Sequence, residues 1–178
     1  MEVVHALLSE GAKVNLHSDL HCSPLNRACQ GGHTEVVCTC YQLEPKSIIL
    51  LTKLDGLSPL LMACHEVHTD VVRVLLSGGA KLDLLVKDGL SPLHDMACNG
   101  GHMDVVLVLL SGGAKVDLQI NNGLSPLHIA CRHACHMGNT LVVRTLLSGG
   151  AKVNLQTTEG KTPMHTACQY GHVGNRIG

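Results

Sequence analysis

DGLSPLHDMACNGGHMDVVLVLLSGGAKVDLQIN, residues 88–121, decides how the chain folds, because nearly the same text precedes it from Asp55 and follows it from Asn122. Text recurring at a period of about 33 residues marks one supersecondary unit copied in tandem. Within the unit, Ser91 is a natural N-cap, and Pro92, with its fixed φ and missing N–H, suits the first helical turn. Leu93, Met96 and Ala97 follow at helical spacing with Cys98 beside them, and Gly100-Gly101 stops the helix after about two turns. His102 leads into a second helix near Asp104, whose charge suits a helix N-terminus. Val105, Val106, Val108, Leu109 and Leu110 give that helix a broad apolar face, and Gly112-Gly113 ends it. The polar stretch AKVDLQINNG then turns at a glycine into the next Ser-Pro-Leu-His.

Neither helix is long enough to stand alone, since isolated helices below about 12–15 residues are marginal in water. Each buried Leu or Val contributes on the order of 1.5–3 kcal/mol, but only once a neighbour covers it. The apolar faces must therefore stack on the next copy, which is the logic of a solenoid. Ser-Pro-Leu-His-x-Ala, Gly-His, Val-Val-x-x-Leu-Leu and Gly-Ala-Lys-Val-Asp recur in register, and this unit resembles the ankyrin repeat, whose signature is T-P-L-H-x-A. The resemblance covers almost the whole chain. It implies an all-α solenoid of stacked helix-turn-helix units with projecting turns.

The repeat text divides the 178 residues into a partial unit at 1–18, a degenerate unit at 19–54, units at 55–87, 88–121 and 122–158, and a partial unit at 159–178. Pro24, Pro59, Pro92, Pro126 and Pro163 are separated by 35, 33, 34 and 37 residues, which places one extra residue near Asp95 and about four around Ala134 to Gly138. The spacing predicts helices near 24–31, 59–66, 69–77, 92–99, 104–111, 126–133, 140–148 and 163–170. From Cys38 to Leu54 the Leu-Leu-Ser-Gly-Gly-Ala text is lost and Pro45 intervenes, so an irregular second helix is expected there. Val3, Val4, Leu7 and Leu8 have no preceding partner, and neither end carries a polar cap, so the chain reads as a segment of a longer array.

Thirteen basic and fourteen acidic residues give a formal net charge of −1, which supplies no electrostatic footprint for nucleic acid or an anionic membrane. No apolar run approaches a membrane span, and MEVVHALLSEG lacks the basic n-region of a signal peptide. An intracellular protein, cytoplasmic or nuclear, is the expectation, with no small-molecule substrate.

The nine cysteines and thirteen histidines invite a metal or redox reading. Cys29, Cys64, Cys98, Cys131 and Cys168 follow the same Ala in successive units. Stacked helices lie roughly 8–10 Å apart, while a disulfide needs Cα atoms within about 7 Å and zinc needs its sulfurs closer still. The ladder is therefore read as small buried core residues. Cys131, Cys135 and His136 could approach one another, but no second pair of matching spacing accompanies them. His94, His128 and His165 belong to the Pro-Leu/Met-His motif, where the resemblance implies a structural hydrogen bond to the motif's Ser or Thr. His33, His68, His102 and His172 fall at the connection between helices. His65-Glu66-Val67-His68 has the wrong spacing for H-E-x-x-H, and Gly160-Lys161-Thr162 lacks the earlier glycine of a phosphate loop, Leu155 standing there. No catalytic set can be assembled, so neither enzyme activity nor a cofactor is expected.

What is left is a surface. With no Trp or Phe and two Tyr, it must use Arg, Leu, His and Tyr170 as anchors. The position after the turn glycine is Leu57, Leu90 and Leu124, then Lys161. Lying outside both helices, a Leu there has no evident core to fill, although packing on the neighbouring turn is an equal alternative. The resemblance implies that this row faces the concave side, together with the two positions after the Ala-Cys pair. Those are His65 and Glu66, Asn99 and Gly100, Arg132 and His133, and Gln169 and Tyr170. The expected function is a non-catalytic module binding partner proteins through that face and the turn tips. A passive spacer segment of a larger protein, or a Cys/His metal- or redox-responsive protein, are the alternatives.

Overall fold

The computed structural model describes residues 1–16, 18, 22–43, 58–83, 90–98, 102–138 and 140–171, apart from the side chains of Ala97 and Cys98. These residues form ten helices and no strand: α1 (Glu2–Ser9), α2 (Pro24–Gln30), α3 (Thr34–Leu43), α4 (Pro59–His65), α5 (Thr69–Ser77), α6 (Pro92–Cys98), α7 (Met103–Ser111), α8 (Pro126–Met137), α9 (Leu141–Ser148) and α10 (Pro163–Gly171). The short helices pack in sequence, α2 on α4 on α6 on α8 on α10. A second row runs beside them, α1 on α3 on α5 on α7 on α9. The all-α stack expected from the period is thus what the chain forms.

The core lies between the two rows. Leu25, Leu60, Leu93 and Leu127, each directly after its proline, are buried, and Leu75, Leu109 and Leu146 meet them from the second row. The local text explains the helix starts. The Ser23 and Ser58 hydroxyls each accept the backbone N–H three residues on, at 3.1 Å, satisfying one of the donors a helix leaves open. In α6 and α8 the same serine also meets the side chain of the histidine three residues on, Ser91 with His94 and Ser125 with His128, each at 2.8 Å.

Three expectations are corrected. The extra residues around Ala134 do not loop out after residue 133. They continue α8 to Met137, because Ala-Cys-His-Met keeps helical propensity, and Gly138 (φ +71°) stops it in the left-handed conformation. The stretch from Cys38 is a regular helix as far as Leu43, since no Gly or Pro breaks it and Val37 and Cys40 still share a buried face. Pro45 and the remainder to Leu54 lie outside the described residues.

The cysteine ladder, third, is uneven. Cys29 and Cys64 are fully buried, Cys131 half-buried and Cys168 exposed. Burial pushes the Cys29 thiol up to about 12 and the Cys131 thiol up to about 11, so both stay protonated near neutral pH. Counted from its proline, Cys98 is seventh in its helix while the other four are sixth, because Asp95 is inserted ahead of it. Met96 takes the buried position that Ala63 and Ala130 hold in the neighbouring helices.

At the near end of the second row, Leu8 packs on the core while Val3 and Leu7 stay exposed. Val67 adopts φ +62° at the position where the preceding unit has Gly32, a conformation that a β-branched residue enters only under strain.

Candidate protein-interaction surface

Two projecting turns stand side by side between α7 and α10. In the first, the Ile120 amide donates to the Leu124 carbonyl at 3.0 Å and the Gly123 amide to the Ile120 carbonyl at 2.8 Å. The second repeats this, Thr157 to Lys161 at 2.9 Å and Gly160 to Thr157 at 2.9 Å. Thr158 joins them, its amide and hydroxyl both donating to the Asn122 carbonyl at 3.1 and 3.0 Å. The Gln119 amide side chain donates to the carbonyls of Gly123 and Gln156 at 2.6 and 2.8 Å.

His128 fixes the helix beneath these turns. Its Nδ1 accepts from the Ser125 amide (3.2 Å) and lies 2.8 Å from the Ser125 hydroxyl, which leaves the proton on Nε2 to donate to the Lys161 carbonyl at 3.1 Å. Burial lowers the pKa of His128 and of its counterpart His94, keeping both neutral near pH 7. The backbone of Leu124 and of Leu118 draws the His94 pKa the other way without overcoming burial.

A groove of about 180 Å³ opens between these turns and the helices α8 and α10. Leu124 and Ile129 form its apolar base, Arg132 stands on the α8 side, Gln169 and Tyr170 on the α10 side, and Lys161 with Glu159 at the turn. Five residues anticipated from the sequence, Leu124, Arg132, Lys161, Gln169 and Tyr170, are therefore brought together. Arg132 keeps its place because the insertion comes after it. The inserted turn adds a wall: the His136 ring lies 5.3 Å from the Tyr170 ring, and the Cys135 thiol donates to the Ala167 carbonyl at 3.5 Å. Tyr170 is half-buried rather than freely exposed.

The other anticipated residues are not part of this groove. Leu90 is half-buried and packs against the core. His65 and Glu66 are exposed at the end of α4. His133 is half-buried on α8, its pKa lowered by burial and by Arg132 and His136. Leu57 and Asn99 lie outside the described residues.

Sequence reasoning missed Glu159, which holds the Lys161 ammonium at 2.8 Å and lowers its own pKa while raising that of the lysine. It also missed Asp95, whose carboxylate faces His65 at 3.5 Å. That distance is long for a hydrogen bond, so burial pushes the carboxyl up and His65 only partly offsets it. The signal for Asp95 was present, an acidic residue at the point where the period lengthens. Among the described residues, no three His, Cys, Asp or Glu side chains are placed to share a metal ion, and no helix is long and apolar enough to cross a membrane.

The comparisons with known proteins agree with the stacked helix pairs. The family pattern for ankyrin repeats in three copies matches residues 1–85 and 78–154. Over 96 residues the chain is 30% identical to the transient receptor potential cation channel subfamily A member 1 of Drosophila melanogaster. That match takes in 52% of this chain and about 8% of the channel's length. With the family pattern running through most of its length, the chain belongs to the ankyrin repeat family.

Proposed function

We propose that the chain is a non-catalytic protein-interaction module, part of a larger intracellular protein, which binds a protein partner on the face formed by its turns and short helices. Ankyrin repeats are a protein-interaction module in general, and the reading here is specific to one face. The observation that carries it is the convergence of Leu124, Arg132, Gln169 and Tyr170 on a single groove, from a turn and two different helices. A 180 Å³ groove is smaller than the roughly 300–1,000 Å³ of small-molecule sites, so it suits side chains of a partner rather than a metabolite. Aromatic and arginine side chains beside an apolar base are the composition of an interaction hot spot. His65, Glu66 and His133 extend the surface beyond the groove. Leu90, packed on the core, acts as support.

The test replaces Leu124 and Tyr170 together by Ser and compares partner capture by proximity labelling in cells with thermal stability of the purified chain. Retained stability with lost labelling of specific proteins supports the module. Labelling unchanged by the substitutions, with all neighbours traced to flanking regions, would leave the chain a passive spacer.

A further inference from the structure

We infer that the groove between α8 and α10 receives an acidic side chain of an extended partner segment, with Arg132 as its charge partner; this deepens the interaction reading and rests on it. Three observations point to that chemistry. Arg132 lines the groove half-buried, and among the described residues no carboxylate pairs with it. A guanidinium lining a groove has five donors in a planar fork suited to a carboxylate. The second cation, Lys161, is held by Glu159 at 2.8 Å, so the wall contains one negative charge against two positive ones. His128 adds no charge, since burial lowers its pKa and outweighs the Lys161 carbonyl, which raises it.

The remaining walls suit the residues beside that carboxylate. Leu124 and Ile129 offer an apolar base, and the Gln169 amide can accept from and donate to an extended backbone. The Tyr170 ring is braced by His136, a residue of the inserted turn of α8, so the insertion that sets this unit apart also shapes the groove. The occupant is then a short extended segment with Glu or Asp at one position and an aliphatic residue close by.

The experiment uses the full chain and a synthetic nonapeptide library with random flanks and a fixed central Glu, Asp, Gln or Asn, read by binding of the labelled protein and confirmed by fluorescence anisotropy. Wild-type protein should select Glu or Asp peptides over their amide counterparts, enriched in aliphatic neighbours. R132Q should weaken the selected peptides on the order of tenfold to a hundredfold and abolish the acid-over-amide preference. R132K should restore part of it, and E159Q should strengthen acidic peptides by freeing Lys161. Circular dichroism melts confirm that each variant is folded. Peptides selected with no acidic preference, or an acidic preference that survives R132Q, overturn the inference while leaving the interaction reading standing. If L124S/Y170S leaves all peptide binding intact, that reading falls for this groove as well. No selection by any variant sinks the proposed groove chemistry.

Discussion

Among the described residues, the hydrogen bonds between the α2/α3 and α4/α5 pairs lie in a different part of the molecule from those between the α6/α7 and α8/α9 pairs. In the first joint, the Tyr41 hydroxyl donates to the Leu75 carbonyl at 3.3 Å and His68 Nε2 to the Gln30 carbonyl at 3.0 Å. These links lie in the second row of helices and in the connection between rows. In the later joint they lie in the turns: the Lys152 amide donates to Asp117 Oδ1 at 2.9 Å and Gln119 reaches the Gln156 carbonyl. The same turn link recurs one pair earlier, from the Lys115 amide to Asp83 Oδ1 at 3.0 Å. Nine residues before each motif proline stand Asn15, Leu50, Asp83, Asp117 and Asn154, so the turn acceptor is present in the text of every unit but the one with Leu50. At the histidine position of the motif the early units carry Asn26 and Leu61. Helices and the joints between them are thus specified by different residues, and a unit can keep the first while changing the second.

The sharpest way to break this comparison is at Gly123. Its φ is +79°, and a Cβ there would stand 2.6 Å from the Thr158 nitrogen and 2.7 Å from the Thr157 Cα, which are backbone atoms of the next turn. Gly160 has φ +75° with open space around its Cβ position. Both alanine variants incur the left-handed penalty of about 1 kcal/mol, but G123A must also push the two turns apart. We expect G123A to lose about 3 kcal/mol in urea titration and G160A about 1 kcal/mol. Equal losses would mean that the turns fold independently and that the later joint does not run through them.

A smaller effect is expected from His128. H128L copies the residue that the early unit has at Leu61, and it removes the partner of the buried Ser125 hydroxyl and of the Lys161 carbonyl. It should cost about 1–2 kcal/mol, while L61A should act only through lost packing. The pH dependence has a definite sign. Burial lowers the folded pKa of His94 and His128 from the ordinary value near 6.5, so in that window the unfolded chain binds more protons than the folded one. Stability is therefore level above that pH and falls as the pH drops below it. The double variant H94L/H128L should flatten the slope between pH 7 and pH 5; an unchanged slope would place the titration elsewhere.

Much of the fold was legible because each helix carries its own start and stop within one unit. Ser-Pro or Thr-Pro at the start of the short helices and the recurring apolar face of the second ones fixed α2, α4, α5, α6, α7, α9 and α10 to within a residue or two. The end of α8 was misread because an insertion shows in the period but not in its conformation. Ala-Cys-His-Met has the propensity to continue the helix, and the thiol of Cys135 on the Ala167 carbonyl adds a tertiary contact that the period does not show. Cysteine burial failed for a related reason: the Ala-Cys text is the same at Cys64 and Cys168, but cover comes from the neighbour, not from the text. The groove was half legible. Family resemblance named the rows, while the pairing of Glu159 with Lys161 and the bracing of Tyr170 depend on distances no period encodes.

The finest test separates two contributions within the turn joint. Asp117 accepts the Lys152 backbone N–H at 2.9 Å, and its other oxygen lies 3.9 Å from the Lys152 ammonium. The lysine side chain is 73% exposed, so that ion pair is largely screened and its ordering cost offsets most of its attraction. The backbone N–H is different, because in the folded turn only the aspartate side chain is placed to accept it. D117A should therefore cost about 1 kcal/mol, D83A a similar amount at Lys115, and K152Q nothing measurable. D117N is the discriminating variant. It keeps an oxygen at the accepting position and discards the charge, as Asn15 and Asn154 do at the equivalent places in this same chain. Stability of D117N close to that of the unaltered protein, at low and at high salt, would identify the joint as a hydrogen bond between turns. A loss matching D117A and fading with added salt would instead make it electrostatic.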